Sequence, residues 1–366
     1  MIIDRVSILN FKNIEEADLT FSPKMNYLFG NNGMGKTNLL DALYYLSFCK
    51  SRSNLLDYQL IRYEADFCVL QGHYSDNGKS EEIYCGIKRK HRKVFKRDKK
   101  EYERLSDHIG LLPLVMVSPE DADLIRGGSD GRRRFVDLLI SQYDKEYLNA
   151  LIHYGKVLGQ RNALLKDNMA FSEDSLFDIL DEQMCHYGEL IYRHRKAFLE
   201  AYLPVFKEYH GQICSDEDSV DLVYESQLND FALDQLLIDR REKDKIVGYT
   251  SAGVHKDDFL FLLDEHLIRK IGSQGQNKTY LIALKLAQFS FFVQQGLSTP
   301  MLLLDDIFDK LDSSRVEQIV QLVSRSEFGQ IFITDTNRKY LDDILKRLDR
   351  DYKLFQVEQG QIEALQ

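Results

Sequence analysis

Residues 30–37 read GNNGMGKT, a GxxxxGKT pattern, and the short apolar run MNYLF leads directly into it. Gly30, Gly33 and Gly35 let the backbone curl until successive amide groups face a phosphate, and the helix that follows adds the positive end of its dipole. Asn31, Asn32, Met34 and Asn38 complete the cradle and its exit. Lys36 is placed to reach the β and γ phosphates as a point charge, and the Thr37 hydroxyl to ligate Mg²⁺. Kinases, GTPases, motors, transporters and clamps all use such a cradle, so other residues must narrow the chemistry.

A nucleotide site with Mg²⁺ needs a further carboxylate, and MLLLDD at 301–306 supplies two at the end of an apolar strand. Asp305 is suited to hold the metal, and Asp306 to orient the water that attacks the γ phosphate. Lys36 and Asp306 are therefore the candidate catalytic residues. A third element, IGSQGQNKTYLIALKLAQ at 271–288, opens a long helix with a small polar loop. Ser273, Gly275 and Gln276 there read either as a second anion site, implying a nucleotide shared between subunits, or as an ordinary helix cap.

These residues need elements to carry them. Residues 1–29 alternate short apolar runs with polar breaks, a β start, and Ser22 and Pro23 mark a turn before the strand that feeds the glycines. After Thr37, Leu39, Leu40, Leu43 and Leu46 recur at helical spacing. FCVLQGHY and EIYCGIK flank the turn signal Asn77-Gly78, so an antiparallel sheet is expected there. Residues 131–245 carry helical periodicity with few breakers, and strand-like text resumes at Asp258. The expected fold is α/β, a mixed sheet flanked by helices, with one ATPase domain built from 1–115 and 246–366 and a helical insertion over 116–245.

The chain has 366 residues, 44% of them hydrophobic, enough for a sizeable core. It has no run of 18 apolar residues and no signal-peptide start, so a cytoplasmic location and no membrane partner are expected. Cys49, Cys68, Cys85, Cys185 and Cys214 are scattered and never spaced CxxC, which signals neither a disulfide framework nor a zinc site. The formal charge of −10 argues against indiscriminate nucleic-acid binding but leaves local patches open.

Taken together, GxxxxGKT, the SQGQ loop, the acidic strand end and KLD resemble the ABC-type ATPase heads of SMC-like proteins. LNFKN, GNNGMGKTNLLDALYYLSFCKSRS, VSPEDADLIRGGSDGRRRFVD, SAGVHKDDF and LLLDDIFDKLD make the chain similar to the RecF family, bacterial recombination mediators acting with RecO and RecR at gapped DNA. The resemblance implies an ATP-dependent, head-to-tail homodimer. Gly33, Gly35, Lys36 and Thr37 of one subunit would hold the phosphates, and Ser273 and Gly275 of the other would cap the γ phosphate. It further implies Asp305 as the Mg²⁺ residue, Asp306 in the place of a catalytic glutamate, Asp312 at the dimer interface, and Lys12 and Asn13 near the nucleotide. Gln274 departs from the glycine usual in transporter signatures, the glutamine-loop stretch reads VSPED, and Asp335 or Thr336 stands where a switch histidine is common. Slow hydrolysis, suited to a clamp or timer, is the expectation.

DNA contact has two candidate clusters. Residues 88–100 hold nine Lys and Arg among thirteen, including Lys88, Arg89, Lys90, Arg92 and Lys93. They read as a phosphate-neutralising hairpin tip or as a solvated run that protects an edge strand. Arg132, Arg133 and Arg134 read as DNA contacts, as interface residues or as salt-bridge partners. Neither cluster interleaves aromatics, which favours duplex over single-strand contact. His255, Asp257 and Asp258 invite a metal reading, but alternation along a strand keeps them from one ion, and the RecF-like pattern implies a structural or interface role. A transporter subunit would need a far shorter gap than the roughly 240 residues between cradle and signature. A long coiled coil lacks its heptads here, and a small-molecule kinase leaves the signature unexplained.

Overall fold

The computed structural model describes residues 1–53, 55–76, 78–166, 174–214, 218–308, 313–325, 328–336 and 351–365. They form two compact units: Met1–Asp121 with Gly211–Ser215 and Leu281–Gln366, and Ala122–His210 with Asp216–Tyr280.

The first unit holds two six-stranded sheets. The antiparallel one joins β1 (Ile2–Phe11), β2 (Ile14–Thr20), β4 (Phe67–Asp76), β5 (Lys79–Lys88), β6 (Val94–Arg97) and β7 (Lys100–Glu101) in the order β2-β1-β4-β5-β6-β7. The β4–β5 register runs to Asp76 opposite Lys79, which leaves the two-residue turn expected at 77–78, although Asn77 itself lies outside the described residues. The second sheet joins β3 (Met25–Phe29), β8 (Leu114–Val117), β12 (Met301–Asp305), β13 (Ile331–Asp335), β14 (Tyr352–Glu358) and β15 (Gln361–Ala364) in the order β15-β14-β3-β13-β12-β8. Only its edge strand β15 is antiparallel, so the mixed sheet expected from the sequence is present.

Helix α1 (Lys36–Phe48) packs against strands of both sheets. That explains why Leu39 to Phe48 are buried on every side rather than along one stripe. Between the sheets the Gln330 amide binds the Ile3 amide and carbonyl at 2.9 and 2.8 Å, standing in for ladder bonds that no strand supplies. Helix α9 (Ser313–Val323) also belongs to this unit.

In the second unit lie α2 (Ala122–Arg126), α3 (Ser129–Tyr143), α4 (Lys145–Lys166), most of α5 (Asp174–Ile213), α6 (Leu233–Val247), α7 (Ile268–Ile271) and the start of α8 (Gln274–Gln294). It also contains a three-stranded sheet of β9 (Val220–Glu225), β10 (Asp258–Leu263) and β11 (His266–Leu267). The wholly helical reading of 131–245 missed β9, whose Val220, Leu222 and Tyr224 are buried while Val223 and Glu225 are exposed. Because β9 pairs along its full length with β10, Asp216–Tyr280 falls in a single unit, whereas the sequence reading divides it at residue 245.

Candidate nucleotide site

The cradle is built as its sequence requires. Strand β3 ends at Phe29 and α1 begins at Lys36, so residues 30–35 form the intervening loop. Gly35 has φ 116°, and a Cβ there would lie 2.9 Å from the Asn13 amide group. A Cβ on Gly30 would meet the Val357 carbonyl oxygen at 2.2 Å, so the β14–β15 hairpin backs the loop from behind. Met34 O is held from two sides, by Asn13 Nδ2 at 3.2 Å and by the Gly360 amide at 2.8 Å. Asn38 donates to Asn13 Oδ1 at 2.7 Å, so Asn13 ties loop and helix together. Gly360 and Val357 escaped the sequence reading because nothing in their local text marks them.

Lys36 Nζ donates to Gly30 O at 2.6 Å and Asn31 O at 3.1 Å, holding its ammonium over the loop. Burial lowers its pKa from the usual lysine value, and the charges of Asp306, Asp305 and Asp335 oppose that shift. An ammonium held over the loop by two carbonyls is a ready partner for phosphate oxygens.

The end of β12 brings the acids to the loop. Thr37 donates to Asp305 Oδ1 at 3.1 Å, and Thr334, from β13, donates to the same oxygen at 2.7 Å. The Asp306 amide in turn donates to Thr334 Oγ1 at 3.0 Å, and Asp306 adopts φ 49°, a left-handed conformation that Asp tolerates better than most residues. Burial raises the Asp305 pKa, with the Thr334 and Thr37 hydroxyls working the other way. The Thr37 hydroxyl and Asp305 carboxylate are hard oxygen donors within hydrogen-bond distance of each other, the donor set that suits Mg²⁺ completed by phosphate oxygens. Among the described residues no group of three or more His, Cys, Asp or Glu is placed to hold a metal by itself.

Thr334 was absent from the sequence reading, which looked one and two residues further on. Asp335 is buried at the end of β13 and accepts from the Thr336 amide at 2.6 Å. Thr334 touches both acids of the β12 end. Asp312 lies outside the described residues.

Lys12 and Asn13 part company. Asn13 touches the loop, whereas Lys12 Nζ pairs with Asp41 on α1 at 2.7 Å. Asp41 also accepts from Ser51 Oγ at 2.7 Å and the Arg52 amide at 2.8 Å. Arg52 reaches Asp121 of the VSPED stretch at 2.8 Å, and Lys285 of α8 reaches the same carboxylate at 3.0 Å. Burial works to raise the Asp121 pKa, but Lys285, Arg52 and the Ser118 amide outweigh it and hold the carboxyl below its usual value. VSPED thus anchors a buried ion cluster instead of presenting a glutamine.

The signature loop belongs to the second unit. Ser273 Oγ accepts from the Gln276 amide at 3.2 Å, and Gln276 Oε1 accepts from the Ser273 amide at 3.0 Å, a reciprocal capping box at the start of α8. Capping uses a lone pair of the hydroxyl, whose proton is still available to donate, so the cap and anion readings are compatible. Ser273 and Gln274 are exposed, and Gln276 Nε2 donates to Asp218 at 2.9 Å.

The family described as RecF/RecN/SMC N terminal domain matches residues 2–363. "DNA replication and repair protein RecF" of Azobacteroides pseudotrichonymphae is 61% identical over 365 residues, covering 100% of both chains. The chain belongs to the RecF family. Its counterpart in Parabacteroides distasonis is 59% identical over 366 residues, again covering 100% of each. A solved structure of the recombination mediator protein RecF with ATP, in the RecFOR pathway, matches with TM-score 0.88 at 27% identity, covering 100% of this chain and 98% of that one. An Smc head domain from Pyrococcus furiosus shares the fold alone, at TM-score 0.58 and 16% identity, covering 100% of this chain and 96% of that one.

For this RecF-family chain the DNA candidates need correction. Arg132 is buried, donates in bidentate fashion to Asp258 at 2.7 and 2.8 Å and binds the Gly127 carbonyl at 2.7 Å. Arg133 donates to the Asp257 carbonyl at 2.5 Å, and Arg134 pairs with Asp130 one turn earlier on α3. Of the three readings for this cluster, salt bridging accounts for Arg132, and neither Arg132 nor Arg133 is placed as a DNA contact. Lys93 is likewise committed, to Cys49 O at 2.5 Å, Tyr45 Oη at 3.1 Å and Asp57 at 3.2 Å. Lys88, Arg89, Lys90 and Arg92 remain exposed on the β5–β6 connection.

The HKDDF residues face three ways, which rules out a shared ion. Asp258 takes Arg132, Asp257 accepts from Arg195 at 3.0 Å and Tyr224 at 2.5 Å, and His255 sits between Tyr154 Oη at 2.9 Å and the Thr250 carbonyl at 3.0 Å. Burial lowers the His255 pKa to about 4. An unfolded histidine takes its proton near pH ~6.5, so folding stability is expected to fall as pH drops from there and to level off near pH 4, by about 3 kcal/mol in all. Urea unfolding across this range reads the loss, and His255→Gln is expected to flatten that part of the curve.

Proposed function

We propose that the chain is an ATP-dependent DNA-binding protein of recombinational DNA repair, acting in the cytoplasm. Two copies close head to tail on ATP, bind duplex DNA beside a single-stranded gap, hydrolyse ATP slowly, and assist recombinase loading together with RecO and RecR. The observation that carries this reading is the meeting of the cradle with the β12 acids: Thr37 against Asp305, and Asp306 held in place by Thr334. Family membership supports the DNA repair setting. No helix among the described residues is long and apolar enough to cross a membrane, and the described cysteines are all free thiols.

In this reading Lys36 and the loop amides bind the β and γ phosphates of ATP, and Asp306 orients the attacking water. Thr37 and Asp305 would hold Mg²⁺, which supplies charge neutralisation between phosphates when bound. Ser273 and Gly275 of the second copy would close over the γ phosphate, so a lone head lacks part of the site. The test is the ATPase rate per subunit as protein concentration rises, with and without gapped duplex DNA. A specific rate that climbs with concentration and climbs further with DNA is expected, and a rate flat in both sinks the shared-site reading.

Asp306→Asn is a clean probe because Asn tolerates the same left-handed backbone and keeps its amide on Thr334. Loss of a general base is expected to slow hydrolysis by about a hundredfold or more while ATP still brings the heads together. Parent-rate hydrolysis in single-turnover assays would assign the water to another residue.

A further inference from the structure

The exposed part of the basic run, Lys88–Arg92, contains no Phe, Tyr or Trp, and Phe95 further along is buried, but the fold supplies exposed rings from residues 55–67. Phe67 lies directly opposite Lys88 in the β4–β5 register. The Arg89 amide donates to Asp66 O at 3.1 Å and its guanidinium Nε to Ala65 O at 3.0 Å, which pins one side of the β5–β6 connection to the stretch leading out of Tyr63. On the other side Lys93 is fixed to Asp57, whose chain neighbours are Leu56 and Tyr58. The exposed cations Lys88, Arg89, Lys90 and Arg92 therefore stand between two groups of exposed apolar side chains. Tyr63 is 84% and Phe67 43% exposed on one flank; Leu56 is 59% and Tyr58 50% exposed on the other. The exposed carboxylates of this stretch are Glu64 and Asp66, fewer than the cations beside them.

Exposed rings beside cations have a specific use. A duplex hides the faces of its bases within the stack, so rings facing it gain nothing, whereas an unpaired strand offers a ring face with every base. Cations alone would track either form of DNA. We propose that Tyr63 and Phe67 together with the Lys88–Arg92 turn form a platform for an unpaired nucleic-acid strand, the rings stacking on bases and the cations neutralising phosphates. The inference rests on the DNA-binding reading above and specifies the part of a gapped substrate that this face takes.

The test is fluorescence anisotropy of the full-length protein with ATP, using three labelled probes: an oligothymidine single strand, a blunt duplex of equal length and a gapped duplex. Tyr63→Ala with Phe67→Ala is expected to weaken single-strand binding by about tenfold or more and to leave the blunt duplex unchanged. Tyr63→Trp, which keeps a ring, retains affinity, and a far-ultraviolet spectrum matching the parent establishes that each variant is folded. Lys90→Ala lowers the salt dependence on the single strand, by about 0.7 in log–log slope for each phosphate that the lysine neutralises. Single-strand affinity unaffected by the double substitution, or falling in step with duplex affinity, overturns the platform. So does a parent protein that binds duplex but no single strand. A parent that binds none of the three probes refutes the DNA-binding reading itself, and the platform with it.

Discussion

Lys36→Ala is expected to weaken ATP binding by about a hundredfold or more and to abolish ATP-induced dimers. A hydrogen bond to a charged group is worth about 1.5–3 kcal/mol, and each 1.4 kcal/mol is a decade in affinity, so an ammonium meeting two phosphates accounts for that loss. In the structure its donors rest on Gly30 O and Asn31 O, aimed over the loop between β3 and α1. Removing them leaves amides to bind phosphate without a compensating charge, beside Asp305 and Asp306. Lys36→Arg is not a rescue, because a planar fork does not replace a compact point charge. Equilibrium binding of a fluorescent ATP analogue reads the affinity, and light scattering with and without ATP reads the dimer. Unchanged affinity would mean that the loop does not hold the phosphates. Lost affinity with intact ATP-induced dimers would separate nucleotide binding from head closure and point to a second nucleotide site.

The parts of the site legible in the sequence are those whose chemistry is local. The GxxxxGKT spacing sets glycine backbone angles within eight residues, and MLLLDD announces a buried strand with acids at its end. The parts that were not legible are long-range partnerships. Arg132 and Asp258 are 126 positions apart, so a run of three arginines, for which salt bridging is one of three readings, does not tell which member is buried or against which carboxylate. Lys93 and Asp57 repeat the lesson inside the basic run, where one lysine is structural and its neighbours are exposed. Thr334 was hidden differently: it stands next to last in a mostly apolar strand, where its hydroxyl looks like β propensity, and the parallel pairing of β12 with β13 sets Thr334 opposite Asp305. The strand β9 was missed because six alternating residues are short evidence beside long helical text. Phe67 reaches the basic turn through the β4–β5 pairing and the stretch after Tyr63 through the Arg89 bonds to Asp66 and Ala65, none of which a composition window over 88–100 contains.

The second large effect is on stability and concerns Arg161, whose side chain is fully buried. Its Nε donates to Asp181 at 2.7 Å and its Nη1 to Asp244 at 2.8 Å and Thr250 at 3.0 Å, so one guanidinium joins α4, α5, α6 and the segment after α6. Arg161→Ala leaves the two carboxylates unequally served. Asp181 keeps Arg241 at 2.8 Å, but Asp244, itself fully buried, keeps among the described residues the amide and hydroxyl of Ser251 and no cation. An uncompensated buried charge costs about 3–5 kcal/mol, whereas replacing both partners with apolar groups of similar size is often close to neutral. Arg161→Ala is therefore expected to lower the second unit's unfolding free energy by about that amount, and Arg161→Met with Asp244→Leu to restore much of it. Hydrogen exchange localises the effect: amides of α4, α5 and α6 lose protection in the single variant and regain it in the double. A single variant with parent-like protection in those helices would mean that apolar packing, with Phe177 beside the guanidinium, holds them without the ion pair.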